Sequence, residues 1–270
     1  RGENMITAAP KLNLWRAPLD NDAWWAPGRF FHVWKEARLH QITQRTNDFS
    51  VEKKDNAVIV RITTRIAPPV LKWGIETIFE YEIDARGLRL TVNGIPKGNL
   101  PHLPRLGMEW HLPLSFQQVR WYGRGPGESY ADSKEAALFG LYSAKVPELE
   151  THYVYPQENG NREDTRWASF TNAKGLGLLA LGEPRFNFSI HNALPEDFEK
   201  ARHPHEIKRR DFLCLHLDDK QCGIGTGSCG PSTYENYRIP PGPFLFTQTL
   251  LPFSRKEGGE ESYFEKIRSS

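Results

Sequence analysis

Apolar and polar residues alternate over short stretches along most of the chain, and this period of two is typical of half-buried β-strands. The alternation is clearest at residues 77–83 and 88–92, where the intervening "DARG" predicts a hairpin turn. Alternation or a short apolar run predicts further strands at residues 58–64, 105–112, 167–170, 175–181, 186–190, 212–218 and 244–251. Many short strands without alternating helices indicate antiparallel sheets packed face to face.

Only two segments have a helical pattern. Residues 30–39 place Phe30, Trp34 and Arg38 along one face of a helix. Residues 195–202 begin with proline and acidic residues and end with basic ones, which is the order that the helix dipole favours. The chain is therefore predicted to be all-β with one or two short helices. The charge and the glycines of residues 254–270 predict a loose tail.

Composition narrows the class of protein. The 270 residues suffice for one large domain or two modest ones. The 35 Lys and Arg nearly balance the 33 Asp and Glu, which excludes a strongly basic surface for nucleic acid. No apolar run reaches the length of about 18 residues that a membrane-spanning helix needs. Three cysteines without a CxxC spacing, Cys214, Cys222 and Cys229, indicate reduced thiols and a cytoplasmic protein.

The segment "LWRAPLDNDAWW", residues 14–25, fits neither a helical nor a strand period. Tryptophan next to Asp and Asn is typical of a sugar site, where a pyranose stacks on an indole and its hydroxyls bind carboxylates and amides. A loop held to the core by its Trp side chains is the alternative interpretation, and by general frequencies of buried aromatic residues it is the more common one.

Glycines at residues 121–142 do not indicate phosphate binding. Gly123, Gly125 and Gly127 do not match GxGxxG, and Pro126 lacks the backbone N–H that a phosphate would need. Tight turns are the better interpretation of these glycines.

A dense polar run lies between aromatic residues at 152–170, ahead of a predicted strand. It contains Glu158, Asn159, Asn161, Arg162, Glu163, Asp164 and Arg166. So many polar groups need either solvent or a polar ligand, and the sequence favours neither. In "HPH", the spacing of His203 and His205 could point two imidazoles to one side as a metal pair. Because no third ligand is evident, two exposed loop histidines are the favoured interpretation.

Five motifs occur in an order and at a spacing that resemble one family. They are "RAPLDND" (16–22), "GRGPGESYADSK" (123–134), "YVYPQENGNREDTRW" (153–167), "FNFSI" (186–190) and "GIGTGSCGPS" (223–232). Over residues 14–253 the chain resembles the C-terminal domain, or separate small chain, of the large β-galactosidases of glycoside hydrolase family two. The resemblance implies a supersandwich of large antiparallel sheets, like that of galactose mutarotases. It also implies one domain over residues 1–253, starting late relative to the family, and a tail over 254–270.

The resemblance implies that the catalytic residues lie elsewhere. These enzymes retain anomeric configuration with two glutamates about 5 Å apart. Both glutamates belong to a TIM-barrel domain or large chain, and a barrel of roughly 250 residues does not fit here. The expected partners are therefore that barrel and a carbohydrate substrate such as lactose, in an enzyme that is oligomeric when complete. No cofactor is expected in this chain, since any Mg²⁺ and Na⁺ of the full enzymes are held by other domains.

Two loops carry the substrate contacts that the resemblance implies. The residues after "DND", 23–31, correspond to a mobile loop beside the sugar site, and residues 227–232 reach the aglycone side. Cys229 stands where the bacterial members have a tryptophan that stacks on glucose, a departure that is similar to the yeast-type enzymes. Trp15, Arg16 and the cluster 20–22 are expected to brace the base of the first loop. The candidate substrate-binding residues are Asn21, Asp22, Trp24, Trp25, Gly227, Ser228 and Cys229.

Two other classes of function stay open at the level of sequence. The mutarotase-like fold also supports aldose 1-epimerases, which need a His acid and a Glu base, and His152 and Glu158 could take these roles. The chain could instead be a stand-alone carbohydrate-binding or assembly module. Fold alone does not decide between these classes.

Overall fold

The computed structural model describes residues 4–22, 29–226 and 233–268. Within these ranges the backbone forms twelve strands, and all their pairings are antiparallel. The strands are β1 Ala8–Asn13, β2 Thr43–Lys54, β3 Ala57–Ala67, β4 Gly74–Ile83, β5 Leu88–Lys97, β6 Arg105–Pro113, β7 Gln118–Gly125, β8 Leu138–Lys145, β9 Arg162–Thr171, β10 Leu176–His191, β11 Phe212–Gln221 and β12 Phe244–Ser254. The predicted all-β, antiparallel fold is confirmed.

The sheet branches at the long strand β10. Its main path runs β1-β6-β11-β10-β12-β5-β4-β3-β2, and the side path runs from β10 through β9 and β7 to β8. The two stretches predicted at 175–181 and 186–190 are parts of this one strand, whose register with β9 shifts between Leu181 and Phe186. The predicted turn between β4 and β5 is present, with the Asp84 N–H donating to the Gly87 carbonyl at 3.1 Å.

The three central strands β6, β11 and β10 have one apolar and one polar face. In β6, Leu106, Met108, Trp110 and Leu112 alternate with Arg105, Gly107, Glu109 and His111. In register with these, β11 and β10 likewise alternate apolar residues with polar ones. Successive side chains of a strand point to opposite faces, so the polar residues share one face of the sheet, which we call the polar face. The polar face consists of Arg105, Glu109, His111, Cys214, His216, Asp218, Asn187, Ser189 and His191.

The hydrophobic core lies on the other face of these strands. Side chains of the side path pack there, as in the contact of Trp121 on β7 with Phe188 on β10, whose ring centroids are 5.9 Å apart. Trp110 and Met108 of β6 belong to the same cluster and are almost completely buried. The two branches of the sheet therefore form two layers around one core.

Four short α-helices occur in the described residues, more than the one or two predicted. The predicted pair is present as α1 Phe30–Glu36 and α3 Pro195–Lys200, and α2 Val146–Leu149 and α4 Glu260–Arg268 are additional. None of the helices in the described ranges is long and apolar enough to cross a membrane.

Helix α4 differs from the loose tail expected over 254–270. The fully buried side chain of Glu260 accepts hydrogen bonds from Arg120 at 2.6 Å and from Ser169 at 2.8 Å. Tyr263 contacts Phe253 edge-on, with ring centroids 5.4 Å apart. A buried charge that is paired and an aromatic contact therefore hold this segment to β7, β9 and β12.

Candidate functional site

Arg16 joins the N-terminal part of the chain to the residues that precede 227–232. Its side chain is fully buried, and its guanidinium donates to the Cys222 carbonyl at 2.6 Å and to the Gly223 carbonyl at 3.1 Å. It also pairs with the carboxylate of Asp22 at 2.9 Å. Burial raises the pKa of Asp22, while the neighbouring Arg16 acts in the opposite direction. Asp22 is thus a bracing residue at this corner, with its carboxylate already engaged.

Asn21 forms a second link across the same corner. Its side-chain amide donates to the Ile224 carbonyl at 2.8 Å. Gly225 follows with a positive φ of +130°, and a Cβ at this position would lie 2.4 Å from Asn21 Nδ2. Glycine is therefore required here by both the backbone conformation and the close approach of Asn21. The segments that begin after Asp22 and after Thr226 start from one corner of the fold.

Asp132 binds the residues that precede the second of these segments. Its two carboxylate oxygens accept hydrogen bonds from the backbone N–H groups of Ile224 and Gly225, each at 2.9 Å. The hydroxyl of Thr226 donates to the same carboxylate at 3.2 Å. Asp132 lies in the motif "GRGPGESYADSK" but was not among the predicted site residues. No feature of that motif indicates that the Asp132 carboxylate accepts hydrogen bonds from residues more than 90 positions away in the sequence.

Replacing Asp132 with alanine should free this segment and lower the free energy of unfolding by about 1–3 kcal/mol, because two backbone N–H groups lose their acceptor. Limited proteolysis should cut the variant faster than wild type within residues 223–233. The exposed neighbour Asp20 provides the control, since Asp20→Ala should change stability by less than about 0.5 kcal/mol. Equal cleavage of the Asp132→Ala variant and wild type would contradict the assignment.

The polar run at residues 158–166 is largely buried and bound to the protein itself, and its residues from Arg162 onward belong to β9. Glu158 lies beside Arg105 of the polar face, which donates to it at 2.7 Å, and Gln221 donates to the same oxygen at 3.1 Å. Burial opposes ionisation of Glu158, but the positive charge of Arg105 holds its pKa below the usual value. Asp218 extends the cluster, with Oδ2 3.0 Å from Arg105 Nε. The question of solvent or ligand is thus answered: for Glu158, the partner is the polar face of the sheet.

Arg162 links the same run to the surrounding loops by hydrogen bonds. Its guanidinium is buried and donates to three backbone carbonyls, those of Gly160 at 2.7 Å, Pro126 at 3.0 Å and Leu149 at 3.1 Å. Burial lowers the pKa of Arg162 to about 10. These bonds join the motif at 123–134 to the motif at 153–167, so the two stretches form one structural unit.

The epimerase roles considered for His152 and Glu158 receive no support from this geometry. Glu158 is buried and its carboxylate is engaged by Arg105 and Gln221, whereas His152 is exposed. A general base must reach the proton that it abstracts, and Glu158 would first have to give up a buried ion pair.

His203 and His205 are exposed, as the favoured interpretation held. Their rings stack with centroids 5.5 Å apart. A third group is present, however, because Glu206 Oε1 lies 3.1 Å from His203 Nδ1. The sequence pattern did not indicate it, because a turn of 3-10 helix, Pro204–Glu206, brings it back to His203.

Of the seven predicted substrate-binding residues, Asn21 and Asp22 lie in the described part of the chain. The structure brings both to the corner formed with Arg16 and residues 222–226. The other five, Trp24, Trp25, Gly227, Ser228 and Cys229, lie outside the described residues.

Two solved structures are similar to this chain at low identity. A galactose mutarotase related enzyme from Lactobacillus acidophilus is 10% identical with a TM-score of 0.39, over 77% of this chain and 71% of that one. A putative aldose 1-epimerase from Escherichia coli K12 is 13% identical with a TM-score of 0.41, over 77% and 69%.

Sequence comparisons identify relatives along almost the whole chain. A β-galactosidase from Kluyveromyces lactis is 38% identical over 243 residues, which are 87% of this chain and 23% of that protein. A β-galactosidase from Vibrio cholerae is 33% identical over 259 residues, or 92% and 24%. The chain thus spans about a quarter of the length of these relatives. The family described as β-galactosidase small chain matches residues 1–250. The chain belongs to this family of β-galactosidase small chains.

Proposed function

We propose that this chain completes one wall of the active site of a β-galactosidase and binds the aglycone side of the substrate. The observation that carries the proposal is the corner at Arg16, where the segments 23–28 and 227–232 both begin. The family resemblance assigns these two segments to the substrate. Their common origin in a braced corner supports a joint role, because groups that bind one ligand need a rigid base.

In this proposal the residues divide into two roles. Arg16, Asn21, Asp22 and Asp132 fix the ends of the segments. Trp24 or Trp25 contacts the sugar, and Gly227, Ser228 and Cys229 line the aglycone side. With Cys229 in place of a tryptophan, stacking on glucose has to come from Trp24 or Trp25, since an indole offers the apolar face that a pyranose needs.

The catalytic partner is a TIM-barrel domain or large chain that supplies the two glutamates of a retaining mechanism. Exposed apolar side chains on β7 and β8 support a covered surface on this domain. Phe139 and Leu141 share one face of β8 and are 42% and 50% exposed, and Tyr122, which pairs with Leu141, is 38% exposed. Contiguous exposed apolar surface is typical of interaction sites. This proposal makes lactose the substrate and the isolated chain inactive.

The test is reconstitution. The purified chain alone should not hydrolyse a chromogenic β-galactoside, and mixing it with the remainder of its β-galactosidase should restore hydrolysis. The variant Asp132→Ala should restore less activity than wild type. The control Asp20→Ala should fold and restore activity as wild type does. The proposal is contradicted if the chain alone hydrolyses the substrate, or if the remainder of the β-galactosidase is fully active without the chain.

A further inference from the structure

Four side chains with metal-binding atoms face one another on the polar face. Glu109 and His111 stand two apart on β6, and Cys214 and His216 stand two apart on β11. The register places Cys214 opposite His111 and His216 opposite Glu109. Residues two apart on a strand share a face, so all four lie together as two cross-strand pairs.

Three of these side chains already have the spacing of zinc ligands. His216 Nε2 lies 3.6 Å from Glu109 Oε2 and 3.7 Å from Cys214 Sγ. Zinc bonds of about 2.0–2.3 Å at tetrahedral angles separate neighbouring ligand atoms by about 3.3–3.6 Å. The three ligand atoms all lie within 4.8 Å of one another. Small side-chain movements therefore suffice to close them around an ion.

Neighbouring groups orient two of the ligands. Ser189 Oγ lies 3.5 Å from His216 Nδ1, which leaves Nε2 for the metal. His111 Nε2 lies 2.8 Å from Glu109 Oε1, which leaves Oε2 for the metal. Such outer partners fix the ring tautomer and the carboxylate of metal ligands in proteins.

Glu109 and His111 line a cavity of about 280 Å³ that is bordered by β1 and by residues 39–44. Cys214 and His216 are buried beside Glu109 on the same face of the sheet. The cavity therefore brings an ion to the Glu109 carboxylate, and side-chain movement has to open the way to the thiol and the imidazole.

We propose that Cys214 Sγ, His216 Nε2 and Glu109 Oε2 form a zinc-binding site, with His111 as a positioning residue for Glu109. The combination of thiolate, imidazole and carboxylate selects Zn²⁺ over Mg²⁺ or Ca²⁺, which prefer oxygen ligands alone. The Cys214 thiol releases its proton to water as the Zn–S bond forms. A water molecule would supply the fourth ligand of a tetrahedral site.

Cobalt substitution tests the site in the complete, full-length protein that carries this chain. Co²⁺ added to metal-free protein should produce the near-ultraviolet charge-transfer absorption of a thiolate–cobalt bond, and Zn²⁺ should abolish it. Cys214→Ala should remove this absorption and weaken Zn²⁺ binding by about 100-fold or more. His111→Ala should weaken binding by about 10- to 100-fold, as the loss of an outer partner does.

Three matched variants locate the site. Cys222→Ser and Cys229→Ser should keep the absorption, as should the double variant His203→Ala, His205→Ala, which removes the exposed histidine pair. Circular dichroism checks that each variant is folded. The assignment is overturned when the wild-type protein gives no thiolate–cobalt absorption, or when one of these three variants loses it. If Cys214→Ala does not fold, His216→Gln provides the same comparison.

Discussion

Replacing Arg105 with methionine should lower the free energy of unfolding by about 3–5 kcal/mol at pH 8. Arg105 is fully buried and lies 2.7 Å from Glu158 Oε1 and 3.0 Å from Asp218 Oδ2. Methionine fills much of the same volume but leaves two buried carboxyl groups without their positive partner. An uncompensated buried charge costs far more than a lost surface ion pair.

The pH dependence of this loss adds a second readout. Burial raises the pKa of Asp218 to about 7 even with Arg105 present. Without Arg105, both carboxyl groups should take up protons more readily, and the destabilisation should shrink as the pH falls from 8 to 4. Urea unfolding followed by tryptophan fluorescence measures the difference at each pH.

Arg61→Met is the matched control for Arg105→Met. Arg61 also pairs with a carboxylate, Glu80, but both side chains are largely exposed, at 46% and 37%. Its replacement should cost little stability at either pH. Equal losses for the two variants would show that the buried cluster is not the source of the effect.

Replacing Glu163 with glutamine should stabilise the protein by about 2–4 kcal/mol near pH 8.5 and by little at pH 5. Burial, with Asp164 nearby, raises the pKa of Glu163 to about 8. Between the unfolded value near 4.5 and the folded value near 8, the folded state holds a proton that the unfolded state has released. Stability therefore falls across this window by up to about 1.4 kcal/mol per pH unit, and glutamine removes the ionisation.

The measurement is the wild-type-to-variant difference in unfolding free energy from pH 4.5 to 9. Glu135→Gln is the control, because the Glu135 side chain is 80% exposed and pairs with Arg124 at the surface. Its difference from wild type should stay nearly constant over the range. A flat difference for Glu163→Gln as well would mean that Glu163 is ionised in the folded state. Glu163 lines a cleft of about 540 Å³. Water in this cleft would then be the cause of its ionisation.

The sequence predicts the strands well where one face is apolar. In β6 and β11 the period of two is plain, and both strands form as predicted. The period does not tell whether water or protein covers the polar side, because the sequence alternates in the same way in both cases. The burial of Arg105 and Asp218 follows from the position of Glu158 in the folded chain, which the alternation does not show.

Strand β2 shows the opposite case. All twelve of its residues are exposed, and they have no apolar period from which a strand could be predicted. Its backbone pairs with β3 from Thr43 to Lys54, so the neighbouring strand decides its conformation. β-propensity is weak against such context.

The sequence predicted those parts of the candidate site that lie in the motifs shared with the family. The resemblance selected the two segments that begin at the Arg16 corner, and it placed Arg16 and Asp22 at the base of the first. Asp132 was not predicted, because the groups that donate to its carboxylate come from residues 224–226. A contact of this kind has no local pattern, since it depends on how distant loops meet.

The bond from Arg16 to the Cys222 carbonyl spans 206 residues. At a synthesis rate of about 5–20 residues per second, roughly 10–40 seconds separate the appearance of these two partners at the ribosome. During that interval the guanidinium stays hydrated, because no carbonyl is yet available to replace its water. The corner is therefore among the last parts of the nascent chain to assemble, whereas β6, which pairs with β11 from Pro113–Phe212 to Arg105–Gln221, waits about half as long. A pause or a premature stop in translation shortly before residue 222 leaves a product that lacks the Cys222 carbonyl, so Arg16 and its corner remain open to chaperones and proteases.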